Sequence, residues 1–396
     1  MMEETVRLFE QNGYAVEFTG RVLVCETIEE ERFRVILDET LFFPEAGGQS
    51  ADRGWLEKVK VLDVQIDQGI IYHYTDGALP EGETVHGKID WEHRFSNMQQ
   101  HSGEHIFSGT VHRLFGLNNV GFHLSDQTVT MDFDGPLNLQ QLELVEEEVN
   151  QAIVRNVEIQ VSYPGREELE ALEYRSKFEI KGQVRIVTIH DYDVCACCAP
   201  HVKRTGEIGL LKIMGVQNHK GGIRVNILCG FRALEAFRQK NKVIASLTNL
   251  LSTNQEALPE LIKRQKELIY QLKGELSEAK QKLIRHRIAE LPQEQNHVLL
   301  FERDLETAVV RNVVNELTER HRGICGIFVE KQEGGYQFIL GSKTINCKEA
   351  ALLLNKTLKA KGGGSEIMVQ GSVEASKEEI EEVLLAHVHA CDNLEG

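Results

Sequence analysis

Two short clusters of metal-capable side chains sit far apart in this chain, and any fold it adopts has to answer to both. The first is His101-Ser-Gly-Glu-His105. Its histidines are four residues apart, a spacing that on a helix puts both imidazoles on one face. The second is Cys197-Cys-Ala-Pro-His201, which offers a thiol and a third imidazole. Zinc takes about four nitrogen, sulfur or oxygen ligands, and His101, His105, Cys197 and His201 would supply them. Cys195 and Cys198 stand beside Cys197 and leave the identity of the sulfur ligand open. Either cluster alone arises readily by chance; the two together make a metal site the expected reading.

The surrounding pattern predicts an α+β chain in several domains. Residues 1–90 read as strands, with Arg21–Glu26, Arg32–Leu37, Val59–Ile66 and Ile70–Tyr74 rich in Val, Ile and aromatics, and this spacing fits a small β-barrel. Between the second and third lies Phe42–Gly54, with paired glycines. Residues 91–235 read as a zinc-binding α/β domain. A helix runs from Trp91 to about Leu114, strands fill 118–134, and a helix with an acidic face covers Gln140–Asn156. A strand at Gln183–Asp191 enters the cysteine cluster, and Gly209–Leu228 forms two further strands.

Near Phe231 the composition changes. Glycine is nearly absent to Leu291, and Ile262, Ile269, Leu276 and Leu283 recur every seven residues. Such a seam predicts a helical or coiled-coil arm over 236–292, interrupted between Leu250 and Pro259. Residues 293–396 read as a separate α/β domain with strands at Val298–Phe301, Ile324–Glu330 and Tyr336–Gly341. Its helices fall at Leu305–Arg320, Cys347–Lys361 and Ser376–Ala390, and Lys361–Ser365 is expected to be a glycine-rich loop. The heptads suggest a homodimer through the arm and last domain, although the seam could also fold back within one chain.

No apolar run approaches the roughly 18 residues a membrane span needs, and the first residues are too acidic and polar for a secretory signal. A cytoplasmic protein is expected. Scattered thiols such as Cys25, Cys229, Cys325, Cys347 and Cys391 then read as buried and reduced. The formal net charge of −17 argues against nucleic-acid binding by the chain as a whole. The charge is uneven, however: from Lys203 to Lys242 nine Lys or Arg face only Glu207 and Glu235. Such a stretch can form a local phosphate-binding face.

His101-Ser-Gly-Glu104-His105 also matches the H-x-x-E-H pattern of inverted zincin peptidases, in which Glu104 would be the general base. That pattern leaves Cys197–His201 unexplained. A wider set of residues resembles another family. Asn97–His105 and Cys197–Val202 are similar to the two zinc motifs of the alanyl-tRNA synthetase editing domain and its stand-alone relatives, the alanyl-tRNA editing proteins. Pro44–Gln49 with Asp52 and Gly54, Gly121–Ser125, Arg204–Gly209 and Lys220–Arg224 fit as well. Where that family has Gly-Gly-Thr between the cysteine and histidine, this chain has Cys198-Ala199-Pro200.

The resemblance implies a translation-factor-like barrel, a zinc editing domain, a helical arm and a C-terminal domain of the kind associated with DHH phosphoesterases. It implies a trans-acting deacylase that hydrolyses the ester of tRNA(Ala) wrongly carrying serine or glycine. Gln49, Glu104 and His123 would then be pocket or catalytic candidates, although Glu104 reads more readily as a helix carboxylate turned away from the metal. Lys203, Arg204, Lys212, Lys220 and Arg224 would contact tRNA, as would Lys361, Gly362, Gly363 and Gly364. A non-catalytic RNA-binding protein with a structural zinc is a third reading.

Overall fold

A computed structural model describes residues 3–176 and 183–392, with side chains described as far as Val388. Cys391 lies outside the described side chains. The chain forms two compact units, Met1–Leu247 and Thr248–Gly396.

The first unit opens with a closed six-stranded antiparallel barrel. Its strands are β1 (Glu17–Glu29), β2 (Arg32–Leu37), β3 (Gly54–Leu56), β4 (Val59–Asp67), β5 (Ile70–Thr75) and β6 (Thr84–Ile89). The order around the barrel is β1-β2-β5-β4-β3-β6, closing back on β1 through pairs such as Glu17 with Lys88. Alternation explains the barrel: Val22, Val35, Leu37, Leu56, Val61, Val64, Ile71, Val85 and Ile89 point inward and form one core with Phe42 and Phe43. The sequence reading misses β3, which is only three residues, and β6, whose Thr84-Val-His-Gly-Lys-Ile89 is interrupted by polar residues and a glycine.

Helix α1 (Trp91–Phe115) follows at once. Asp90 caps its start by accepting from His93 N at 3.2 Å, and Gly116 ends it in the left-handed conformation. Every residue from Asn97 to Val111 is buried, so this is a central rod and not a surface helix. Its polar side chains therefore need partners, and they find them. Arg94, fully buried, donates to Asp52, to Gly13 O at 3.0 Å and to Leu41 O at 2.6 Å. That locks the helix to the barrel.

Around α1 pack two antiparallel sheets and α2 (Leu139–Arg155). The larger sheet has the order β12-β13-β8-β7, from β7 (Asn119–Leu124), β8 (Val129–Phe133), β12 (Leu211–His219) and β13 (Gly222–Cys229). The smaller holds β9 (Ile159–Ser162), β10 (Ile186–Ile189) and β11 (Asp193–Ala196) in that order. The strand expected over Gln183–Asp191 is thus shorter, because Asp191 takes a positive φ of 69° and turns the chain back into β11. Gly109 allows α1 to touch that turn: a Cβ there would lie 2.1 Å from Tyr192 O.

Helix α3 (Gly230–Leu250) leaves the first unit, and α4 (Leu258–Ala289) opens the second, with Pro259 in its first turn. Along α4 the heptad residues Ile262, Ile269, Leu276 and Leu283 are 47%, 55%, 53% and 61% exposed. Only its last turns, through Ile284 and Ile288, enter the core of the domain that follows. That domain is a five-stranded sheet ordered β14-β15-β16-β18-β17. Its strands are β14 (Val298–Arg303), β15 (Cys325–Glu330), β16 (Tyr336–Gly341), β17 (Lys361–Gly364) and β18 (Met368–Val373), covered by α5 (Thr307–Arg320), α6 (Cys347–Leu358) and α7 (Lys377–Asp392). One expectation needs correcting. Lys361–Gly364 is not a loop but an exposed edge strand, antiparallel to β18. Glycine suits this edge: a Cβ at Gly362 would meet Gln370 O at 2.5 Å.

Candidate metal centre

His101 and His105 project from one face of α1, and the loop after β11 brings Cys197 and His201 against them. One donor atom from each of the four lies within 4.8 Å of every other. Cys197 Sγ is 3.5 Å from His101 Nε2 and 3.4 Å from His201 Nε2. The three imidazole centroids are 4.6 to 5.3 Å apart. Glycine and helix packing explain how segments so distant in sequence meet. Tyr192 O against Gly109 fixes β11, and Val202 N donates to Ser102 Oγ at 3.2 Å, pinning the far end of the loop.

Each imidazole is held through Nδ1, so that each turns Nε2 inward. His101 Nδ1 donates to Gln49 Oε1 at 2.7 Å, His105 Nδ1 donates to Asp193 Oδ2 at 2.8 Å, and His201 Nδ1 shares a hydrogen bond of 3.1 Å with Ser102 Oγ. Such outer partners fix tautomer and ring orientation at metal sites. Asp193 is in turn gripped by Arg175, whose Nε and Nη2 donate at 2.7 and 2.8 Å. Burial opposes charge on Asp193, but the hydrogen bond from His105 and the Arg175 guanidinium outweigh it and hold its carboxyl below the usual range. Burial pushes the Cys197 thiol up, and burial with the neighbouring histidines pushes His201 well below its ordinary value. Three imidazoles and a thiol crowded together in a largely buried site fit a divalent cation: three nitrogens and one sulfur are a zinc-type donor set.

Among the cysteines, Cys197 belongs to this cluster. Cys195 groups instead with His105 and Asp193, while Cys198 is exposed and belongs to neither group. Glu104 is buried and accepts from Ser108 Oγ at 2.7 Å and Asn119 Nδ2 at 2.6 Å. It lies outside both donor groups. Gln49 is brought to His101 by the Phe42–Gly54 segment, which docks on β7 through Leu124 N to Gly48 O (2.7 Å) and Ser50 N to Leu124 O (3.0 Å). His123 does not join them. It is exposed, and on β7 it is the neighbouring Phe122 that packs on His101, at 4.9 Å between centroids.

A cleft of about 1030 Å³ opens over the cluster, lined by His101, His105, Cys197 and Cys198 and, farther out, by Arg7, Glu10, Tyr163 and Arg185. None of the five basic residues singled out between 203 and 224 lines it. Lys203 lies over the Tyr14 ring, Arg204 donates to Asn156 O, Lys212 pairs with Glu146, and Arg224 holds Asp132 at 2.6 and 2.7 Å. Lys220 is exposed at the β12–β13 turn. Lys361 and Gly362–Gly364 belong to the second unit. The sequence reading overlooked Ser102, Arg175, Asp193 and Arg185. Two left a trace, since Ser102 lies inside the first motif and Asp193 shares a strand face with Cys195.

The geometry defines a barrel joined to a domain with a metal-competent histidine–cysteine cluster. Among family models, residues 184–226 match the threonyl and alanyl tRNA synthetase second additional domain, and residues 10–93 match the class II (A) tRNA synthetases. The alanyl-tRNA editing protein AlaX-L of Pyrococcus horikoshii is 29% identical, over 96% of this chain and 97% of its own. The alanyl-tRNA editing protein Aarsd1 of Rattus norvegicus is 27% identical, over 92% and 93%. An alanine–tRNA ligase of Ignicoccus hospitalis is 32% identical over 71% of this chain, a region that spans 32% of that ligase. Along nearly its whole length the chain is similar to alanyl-tRNA editing proteins.

Proposed function

We propose that this protein is a zinc-dependent aminoacyl-tRNA deacylase that acts in trans on tRNA(Ala) wrongly charged with serine or glycine. The observation that carries the reading is the convergence of His101, His105, Cys197 and His201 beneath an open cleft. The names of its relatives point the same way. Synthetase pockets separate such small side chains poorly, by roughly 1–3 kcal/mol, so a second hydrolytic site has a purpose.

Deacylation adds water across the ester between the amino acid and the terminal ribose, freeing both. A bound zinc ion would supply Lewis acidity for that step or orient the substrate. The chain's own residues hold the donors ready: Gln49, Asp193 and Ser102 fix the imidazoles, and Phe122 covers one side of His101. The peptidase reading is disfavoured by Glu104, whose carboxylate is committed to Ser108 and Asn119.

In this reading 1–90 is the barrel, 91–235 the editing domain, 236–292 a helical arm and 293–396 a tRNA-binding domain. The exposed heptad residues of α4 would be covered by a second copy of the chain, and the Lys361–Gly364 edge would meet tRNA. The decisive test incubates zinc-replete protein with tRNA(Ala) charged with serine, glycine or alanine. Release of serine or glycine, with alanine spared, is expected. No release of any amino acid would overturn the proposal, and binding without turnover would favour a structural zinc.

A further inference from the structure

The cleft that leads to the metal-competent cluster has a built-in cation that no motif points to. Arg185 stands at the edge of β10 and brackets the Cys197–Ala199 turn from two sides. Its Nη1 donates to Cys197 O at 2.8 Å and Ala199 O at 3.0 Å, and its own carbonyl accepts from Cys197 N at 3.1 Å. Two loop carbonyls are thus satisfied through one edge of the guanidinium. Its Nε is buried and has no hydrogen-bond partner. Beside it in the cleft lies Tyr163, whose hydroxyl feels both the Arg185 guanidinium and the Glu10 carboxylate and whose pKa is raised, mainly by burial.

Among the described residues that line this cleft, only Arg7 and Arg185 are permanently positive. Arg7 already donates to Glu10 at 3.2 Å. The lysines and arginines between 203 and 224 do not reach the cleft. A nucleic-acid end entering here would therefore meet the Arg185 guanidinium, which is bonded to the backbone of the cysteine loop. Arginine's planar fork matches phosphate oxygens in a way lysine does not. In a charged 3′ end the aminoacyl ester and the phosphate belong to the same terminal nucleotide, and Arg185 is hydrogen-bonded to the residue that carries the thiol.

We propose that Arg185 is a phosphate-recognising residue of this site: it binds the last phosphodiester of an aminoacylated 3′ end while bracing the Cys197–Ala199 turn. The proposal rests on the aminoacyl-tRNA reading above, but its test does not need hydrolysis.

The probe is a fluorescent CCA trinucleotide whose 3′ end carries serine through a stable amide, bound to the zinc-loaded full chain and followed by anisotropy. A second probe has an uncharged methylphosphonate at the last linkage. Wild-type protein is expected to lose roughly tenfold in affinity for the uncharged probe, the scale of one charge-assisted hydrogen-bonded contact. Its salt dependence should also flatten by roughly 0.7 in log–log slope. Arg185→Gln should bind both probes equally weakly, and Arg185→Lys, which keeps a positive donor beside the turn, should keep the salt slope while losing part of the affinity. Wild-type that binds both probes alike would overturn the proposal, and so would Arg185→Gln retaining full discrimination. Protein that distinguishes the probes yet hydrolyses no charged tRNA would leave the proposal standing and sink the deacylase reading.

Discussion

Asp193 accepts the Nδ1 hydrogen of His105 at 2.8 Å while gripped from behind by Arg175. This carboxylate touches no metal donor atom of the four-residue cluster, yet it sets which nitrogen His105 presents. Asp193→Asn should lower zinc affinity by roughly 10–100-fold, the usual cost of losing an outer partner. Chelator competition measures it. An affinity equal to wild type would show that Asp193 does not orient the ring.

Replacing Cys197 by serine should strip or severely weaken the bound metal, whereas Cys198→Ala should not, because Cys198 lies outside the donor group. Zinc per chain after gel filtration decides between them. Equal metal content in both variants would reassign the sulfur ligand.

Glu104→Gln should leave zinc content intact, since the carboxylate faces Ser108 and Asn119. It should cost about 1–3 kcal/mol of stability by disturbing a buried polar group. Urea denaturation reads the second effect. Deacylation abolished in a fully stable variant would restore Glu104 as a catalytic base.

Arg94→Met would leave Asp52 charged and buried without its partner. Breaking such a pair costs about 3–5 kcal/mol, so the midpoint of denaturation should fall sharply. Arg94 and Asp52 together replaced by apolar residues should recover much of the loss.

His73 is enclosed in the barrel, donating through Nδ1 to Val35 O at 3.2 Å and accepting from Thr40 at 2.9 Å. Burial pushes its pKa down to about 4 from an ordinary 6.5. The folded value lies below the unfolded one, so the neutral ring's contribution is complete above about pH 6.5 and is lost as pH falls toward 4. The total is about 3 kcal/mol. His73→Gln should be flatter than wild type across that window in zinc-free protein. Identical pH profiles would contradict the assignment.

The cluster was legible because helical spacing and a second motif of the same type are local signals. What orients the rings was not, since Gln49 and Asp193 reach His101 and His105 only through tertiary packing. Residues such as Glu104 and His123 could be placed near the site by motif, but their direction depends on which face of helix or strand is buried. Charge has the same limit: the positive run Lys203–Arg224 is plain in the sequence, but the pairing of Arg224 with Asp132 and of Lys212 with Glu146 is not. The edge strand at Lys361–Gly364 was read as a loop because consecutive glycines lack any β signature, and its pairing with β18 uses backbone alone.

Gln49 comes from the barrel side of the molecule and steadies an imidazole that belongs to the helix beyond it. A shortened chain beginning at Trp91 would keep all four donors and lose this brace, and with it the Arg94 anchor. The barrel is therefore not a detachable appendage: trimming it should disorder the donor cluster, and a minimal fragment would need a substitute prop for His101.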